Sequence, residues 1–79
     1  MKIKLNDRVE IRQVGGGMLR NGIITMISIS LNPELDPAGE RGVKVEELDL
    51  NNEFPGSIGY TDETGESKWA YFGQIKQND

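Results

Sequence analysis

The 79-residue sequence contains no cysteine and no histidine. Without cysteine there is no disulfide, no thiolate metal site and no thiol nucleophile. Without histidine there is no imidazole ligand, no Ser–His pair and no side chain whose ordinary pKa lies near neutrality. No apolar run approaches the roughly 20 residues of a membrane-spanning helix. Met1-Lys2-Ile3-Lys4-Leu5-Asn6-Asp7 alternates charge with apolar side chains and lacks the apolar stretch of a signal peptide. Missing cysteines fit a reducing compartment. The expectation is therefore a cytoplasmic protein with no membrane segment, or one inside a particle assembled in a cytosol.

Hydrophobic residues are also scarce at 35%, while glycine is abundant at 10 residues. A chain of 8.8 kDa forms one domain, here residues 1–79 with a frayed tail over 76–79. It exposes roughly 4,800 Å² when folded against about 12,800 Å² unfolded, so it buries about 63% of its surface. That is close to the lower limit for a core that stands alone.

The net charge of −4 is unevenly distributed. Residues 1–30 carry Lys2, Lys4, Arg8, Arg12 and Arg20 against Asp7 and Glu10, which makes +3. Residues 31–79 carry four basic side chains against eleven acids, which makes −7. Such asymmetry marks a nucleic-acid face, a basic surface that meets an acidic one on another copy, or simply a solvated exterior.

Helical periodicity is nearly absent. Asp7 to Val14 places Val9 and Ile11 on one face and Arg8, Glu10 and Arg12 on the other, a strand with one wet side. Gly15-Gly16-Gly17 breaks it, and Asn21-Gly22 reads as a turn. Gly22 to Leu31 is a long isoleucine-rich strand, which β-branching favours over helix. Asn32 to Gly42 holds two prolines and two glycines and reads as a loop, long for so small a domain. Val43 to Leu50 switches parity between Val45 and Leu48, which predicts a bulge near Glu46-Glu47. Asn51 to Pro55 is a turn. Gly56 to Thr61 and Ser67 to Phe72 form a hairpin around Asp62-Glu63-Thr64-Gly65-Glu66. Five strands with a long second loop and a tight final hairpin predict an all-β fold, a small five-stranded SH3-like barrel.

Three constellations are weak. Gly15-Gly16-Gly17 lacks the Gly-Lys-Ser/Thr and following helix of a phosphate-binding loop. Asp49-Leu50-Asn51-Asn52-Glu53 has calcium-loop spacing, but Phe54 and Tyr60 stand where glycine and glutamate belong. Asp62, Glu63 and Glu66 offer at most weak contact to a hydrated cation. The sequence therefore predicts no metal, no cofactor and, with little interior to shape a pocket, no catalytic residue.

The aromatics are more informative. Phe54, Tyr60, Trp69, Tyr71 and Phe72 are all of them, and all lie between residues 54 and 72. Alternation puts Trp69 and Tyr71 on one strand face and Ala70 and Phe72 on the other, with Tyr60 as a cross-strand neighbour of the first pair. Two readings stay open. Either Phe72, Ile58 and Ile75 fill the core while Trp69 and Tyr71 lid an open barrel end, or Tyr60, Trp69 and Tyr71 form an aromatic surface for a protein partner.

The opening, Asp7-Arg8-Val9-Glu10-Ile11 with Asn21-Gly22-Ile23-Ile24, is similar to SH3-like and KOW-like barrels. The closing segment Gly65-Glu66-Ser67-Lys68-Trp69-Ala70-Tyr71-Phe72-Gly73-Gln74-Ile75 resembles the ends of small proteins of marine T4-like cyanophages, over about a seventh of the chain. The resemblance implies an SH3-like barrel without an assigned reaction. Signalling SH3 domains carry an Ala-Leu-Tyr-Asp-Tyr-type segment in their first long loop, whereas no aromatic precedes Phe54 here, so proline-peptide binding in that style is not expected. KOW-type modules are usually basic, and this sequence has a pI near 4.7. The expected function is protein–protein contact, with self-association into a homo-oligomer. A nucleic-acid module using Lys2, Lys4, Arg8, Arg12 and Arg20 is the alternative, and little nucleic-acid affinity is expected.

Overall fold

The computed structural model describes residues 1–13, 17–51 and 54–77. The chain is all-β, in the order β1 (Lys2–Lys4), β2 (Arg8–Arg12), β3 (Leu19–Ile29), β4 (Val43–Val45), β5 (Glu47–Asp49), β6 (Gly56–Asp62) and β7 (Ser67–Tyr71), followed by a 3₁₀ turn over Phe72–Gln74. These seven strands form two antiparallel sheets and no closed barrel, so the five expected strands underestimate the partition. β1 and β5 make a two-stranded ribbon, and the larger sheet runs β2-β3-β6-β7 with β4 also on β3.

β3 is the spine. Its first half pairs with β2 through Arg8↔Ile23 to Arg12↔Leu19, and its far end pairs with β4 through Ile27↔Val45 to Ile29↔Val43. Its other side carries β6 from Gly22↔Asp62 to Ile29↔Gly56. The register shifts between Ile24 and Met26. That bulge reverses the parity of the strand, so Ile24 and Ile27, three residues apart, both point into the core.

Two expectations are corrected here. Asn21-Gly22 is not a turn but lies inside β3, opposite Glu10 and Val9. The β2–β3 connection comes earlier, where the Gln13 amide donates to the Met18 carbonyl at 3.0 Å. Gly22 is needed for a different reason: the Tyr60 ring lies against it, and a Cβ there would come within 3.0 Å of Tyr60 Cγ and 3.1 Å of Ile11 Cδ1. The parity switch after Val45 is likewise no bulge. At Glu46 the chain leaves the larger sheet for the ribbon, and the Glu46 carbonyl accepts from the Leu5 amide at 3.0 Å. The phosphate-cradle residues Gly15 and Gly16, part of the turn before Pro55 and the end of the tail lie outside the described residues.

The core is Ile3, Val9, Ile11, Ile24, Ile27, Ile58, Tyr60, Ala70 and Ile75. Ile3 comes from the ribbon and packs its apolar side onto the larger sheet, with Met1, Leu5, Leu48 and Leu50 around it. Phe72 is only partly buried, against the edge of this cluster. The long loop is pinned to the sheet. Asp36 accepts from the amides of Glu40 and Arg41, both at 2.8 Å, while Ser30 Oγ and Ser57 Oγ donate to the carbonyls of Asp36 and Ala38 at 2.5 Å. The Cα radius of gyration, 11.7 Å, is that of a compact chain of this length.

Candidate functional site: an aromatic edge strand

Among the described residues β7 is the last strand of its sheet, with β6 on one side and no strand paired along the other. Its register against β6 is Ser57↔Tyr71, Ile58↔Ala70, Gly59↔Trp69, Tyr60↔Lys68 and Thr61↔Ser67. Ile58, Tyr60 and Ala70 are buried, which places Lys68 on the inner face and Trp69 and Tyr71 on the outer one. Trp69 is 57% exposed and Tyr71 39%, with ring centroids 5.0 Å apart and planes at 78°. This edge-to-face pairing satisfies the ring quadrupoles without burying either ring. Across the outer face Met26 stands opposite Gly59, so Met26, Gly59 and Trp69 form one row over three strands. Gly59 leaves a low floor between the two large side chains.

Tyr60 does not join this surface. It is 2% exposed and faces the core, because the hairpin register sets it opposite Lys68 rather than beside Trp69. A cleft of about 470 Å³ between the β7 edge and Gln13 at the end of β2 is lined by Gln13, Tyr60, Ser67, Lys68, Trp69, Tyr71 and Gln74. The Gln74 side chain spans the far end of this gap: its Oε1 accepts from the Tyr71 amide and its Nε2 donates to the Arg12 carbonyl, each at 2.9 Å. Beyond it, Ile75 bridges to Ile11, and the Lys76 amide donates to the Glu10 carbonyl at 2.9 Å. One glutamine and one bridge thus connect the two free edges of the sheet where a closed barrel would have a ladder.

Beneath the hairpin lies Asp62, whose side chain is fully buried. Oδ1 accepts from the Thr64 hydroxyl at 2.6 Å and from the amides of Thr64 and Glu66 at 2.9 and 3.1 Å. Oδ2 meets Lys68 Nζ at 3.2 Å and Arg20 Nη1 at 3.8 Å. The Thr64 hydroxyl first, then the Glu66 amide, Lys68 and the Thr64 amide hold the carboxyl well below the usual carboxylate range, against the opposing effect of desolvation. The weak cation set of Asp62, Glu63 and Glu66 is thereby taken up internally, since Glu63 pairs with Arg20 and Glu66 with Lys68. Among the described residues no group of three or more potential ligands is placed to hold a metal ion.

The five basic residues of the alternative reading are divided. Lys2 and Lys4 lie on the ribbon, and Lys2 meets Glu47 at 3.9 Å. Arg8 and Arg12 stand on β2 with Glu10 between them, while Arg20 is held by Asp62 and Glu63. Among the described residues no helix is long and apolar enough to cross a membrane. Comparison with known protein families, curated proteins and solved structures found no match.

Proposed function

We propose that this chain is a non-enzymatic interaction domain that works by self-association through its exposed aromatic edge. The observation that carries this reading is Trp69, the single tryptophan, left 57% exposed beside Tyr71 on a terminal strand. Covering the exposed part of such a ring gains roughly 3 kcal/mol per copy, a large contribution for a domain with so small a core. The architecture we assign to it is an unclosed relative of the SH3-like barrel. Its support is the order β2, β3, β6, β7, 3₁₀ turn and terminal bridge to β2.

A nucleic-acid function has less support, because the five basic side chains are spread over β1, β2 and β3 and two of them are paired with acids. Catalysis has less support still. Among the described residues the one carboxylate held away from its ordinary pKa, Asp62, is committed to its own turn.

Light scattering combined with tryptophan emission tests the proposal. Mass should rise above 8.8 kDa between nanomolar and micromolar concentration, and the emission of Trp69 should shift to the blue over the same range. A constant monomer mass with unshifted emission would overturn it.

A further inference from the structure

The cleft of about 470 Å³ beside β7 falls within the roughly 300–1,000 Å³ of small-molecule sites, which combine apolar walls with a few fixed polar groups. Its rings are Trp69 and Tyr71, and its uncharged polar groups come from Gln13, Tyr60, Ser67 and Gln74. Gln74 is held in place by the Tyr71 amide and the Arg12 carbonyl. That fixes its second Nε2 hydrogen and the spare lone pair of Oε1 at the end of the cleft.

Tyr60 is the telling group. It is 2% exposed, and its ring lies against Gly22 with Ile11 beside it. Among the described residues its hydroxyl makes no hydrogen bond. The fully buried side-chain oxygens without a partner there are Ser28 Oγ and Asp62 Oδ2, and Tyr60 Oη is not one of them. The hydroxyl is thus neither paired nor sealed, in a residue that lines the cleft. A phenol this buried ordinarily has a partner, and the cleft is where one can enter.

Charge sets the class of that partner. Lys68, the cation of the lining, is engaged by Asp62 at 3.2 Å and Glu66 at 3.7 Å. No carboxylate is among the described lining residues. An anionic ligand would meet no free cation here, and a cationic ligand no free anion. The walls suit an uncharged molecule with an apolar face and many hydroxyls. Its C–H groups carry the slight positive charge that the face of an aromatic ring attracts. Its hydroxyls donate and accept, matching the amides and the phenol. Pyranose sugars have this chemistry.

We propose that the cleft binds a neutral saccharide, with a sugar ring against Trp69 and its hydroxyls on Tyr60 Oη, Gln13 and Gln74. The site goes beyond the self-association reading and does not depend on it.

Trp69 is the single tryptophan, so its emission reports occupancy directly. The unaltered protein at nanomolar concentration is titrated separately with cellohexaose, maltohexaose and chitohexaose. At least one should change the emission saturably. Tyr60→Phe should weaken that binding about fivefold, the loss of one hydrogen bond, without lowering the thermal midpoint. Unchanged binding by this variant, or a lowered midpoint, would overturn the role given to the hydroxyl. Should the variant fail to fold, Gln13→Ala replaces it, with the same expected loss and the same overturning result. No response to any of the three sugars at millimolar concentration would overturn the site. So would a saturable response to an oligothymidylate with the sugars inert, which would give the rings to single-stranded nucleic acid. A mass above 8.8 kDa without a sugar response overturns this inference alone. A sugar response from a chain that stays monomeric at every concentration supports it and overturns self-association.

Discussion

Gly22 and Ser28 show how single positions in β3 are set by what crosses them. Gly22 lies against the Tyr60 ring, and a Cβ there would meet that ring and the Ile11 side chain. Gly22→Ala should destabilise by about 1–3 kcal/mol as an overpacking change, read as a lowered midpoint in chemical denaturation. Ser28 is 1% exposed, and its hydroxyl has no hydrogen-bond partner. Because an unpaired buried hydroxyl opposes folding, Ser28→Ala should stabilise by about 1 kcal/mol; a loss of stability would mean that the hydroxyl has a partner. Asp62 adds a pH dependence. Its carboxyl is lowered in the folded state, so the stabilisation is complete above the unfolded value, near pH 4, and is lost as pH falls toward the folded value. Asp62→Asn should therefore lower the thermal midpoint at pH 7 and flatten its acid decline below pH 4. An unchanged acid decline would mean that Asp62 does not carry it.

At the scale of elements, the final hairpin combines three local devices. Gly65 takes φ +87° with nothing within 4 Å of where a Cβ would stand, Asp62 Oδ1 ties the turn together, and Lys68 closes the ion pair beneath. Gly65→Ala should cost about 1–2 kcal/mol from backbone conformation alone, and Gly65→Asn less, since asparagine tolerates that region better. The same hairpin separates two aromatic roles. Trp69→Ala should change monomer stability by less than about 1 kcal/mol, as an exposed truncation does, yet abolish the concentration-dependent rise in mass seen by light scattering. Phe72 is half-buried against Gly56 and the core edge. Its truncation should cost less than the 3–5 kcal/mol of a fully buried ring, whereas Ile58→Ala, at 0% exposure, should cost about 2–5 kcal/mol. Thermal unfolding of the three variants in parallel checks the order.

For the molecule as a whole, the charge asymmetry does not become a basic face. The ribbon separates Lys2 and Lys4 from Arg8 and Arg12, and Arg20 is consumed at the hairpin. We expect no retention on DNA or RNA at physiological salt, because the eleven acids of residues 31–79 oppose any phosphate contact. Binding that weakens steeply with rising salt would contradict this.

Alternation of apolar residues over short range determined the all-β class, the hairpin of residues 56–72 and the shared strand face of Trp69 and Tyr71. Side chains in a strand have a period of two wherever the strand goes, so local order alone carries that information. What lay beyond it depends on partners distant in the chain. Asn21-Gly22 has the composition of a turn, but a glycine that makes room for a ring has the same composition, and only Tyr60, 38 positions later, distinguishes them. The parity break after Val45 looks the same whether a strand bulges or changes sheet, and the pairing of Leu5 with Glu46 decided for the second. Tyr60 entered the core and Trp69 stayed outside because register, set by the β3 bulge and the β6–β7 turn, assigns faces that composition cannot.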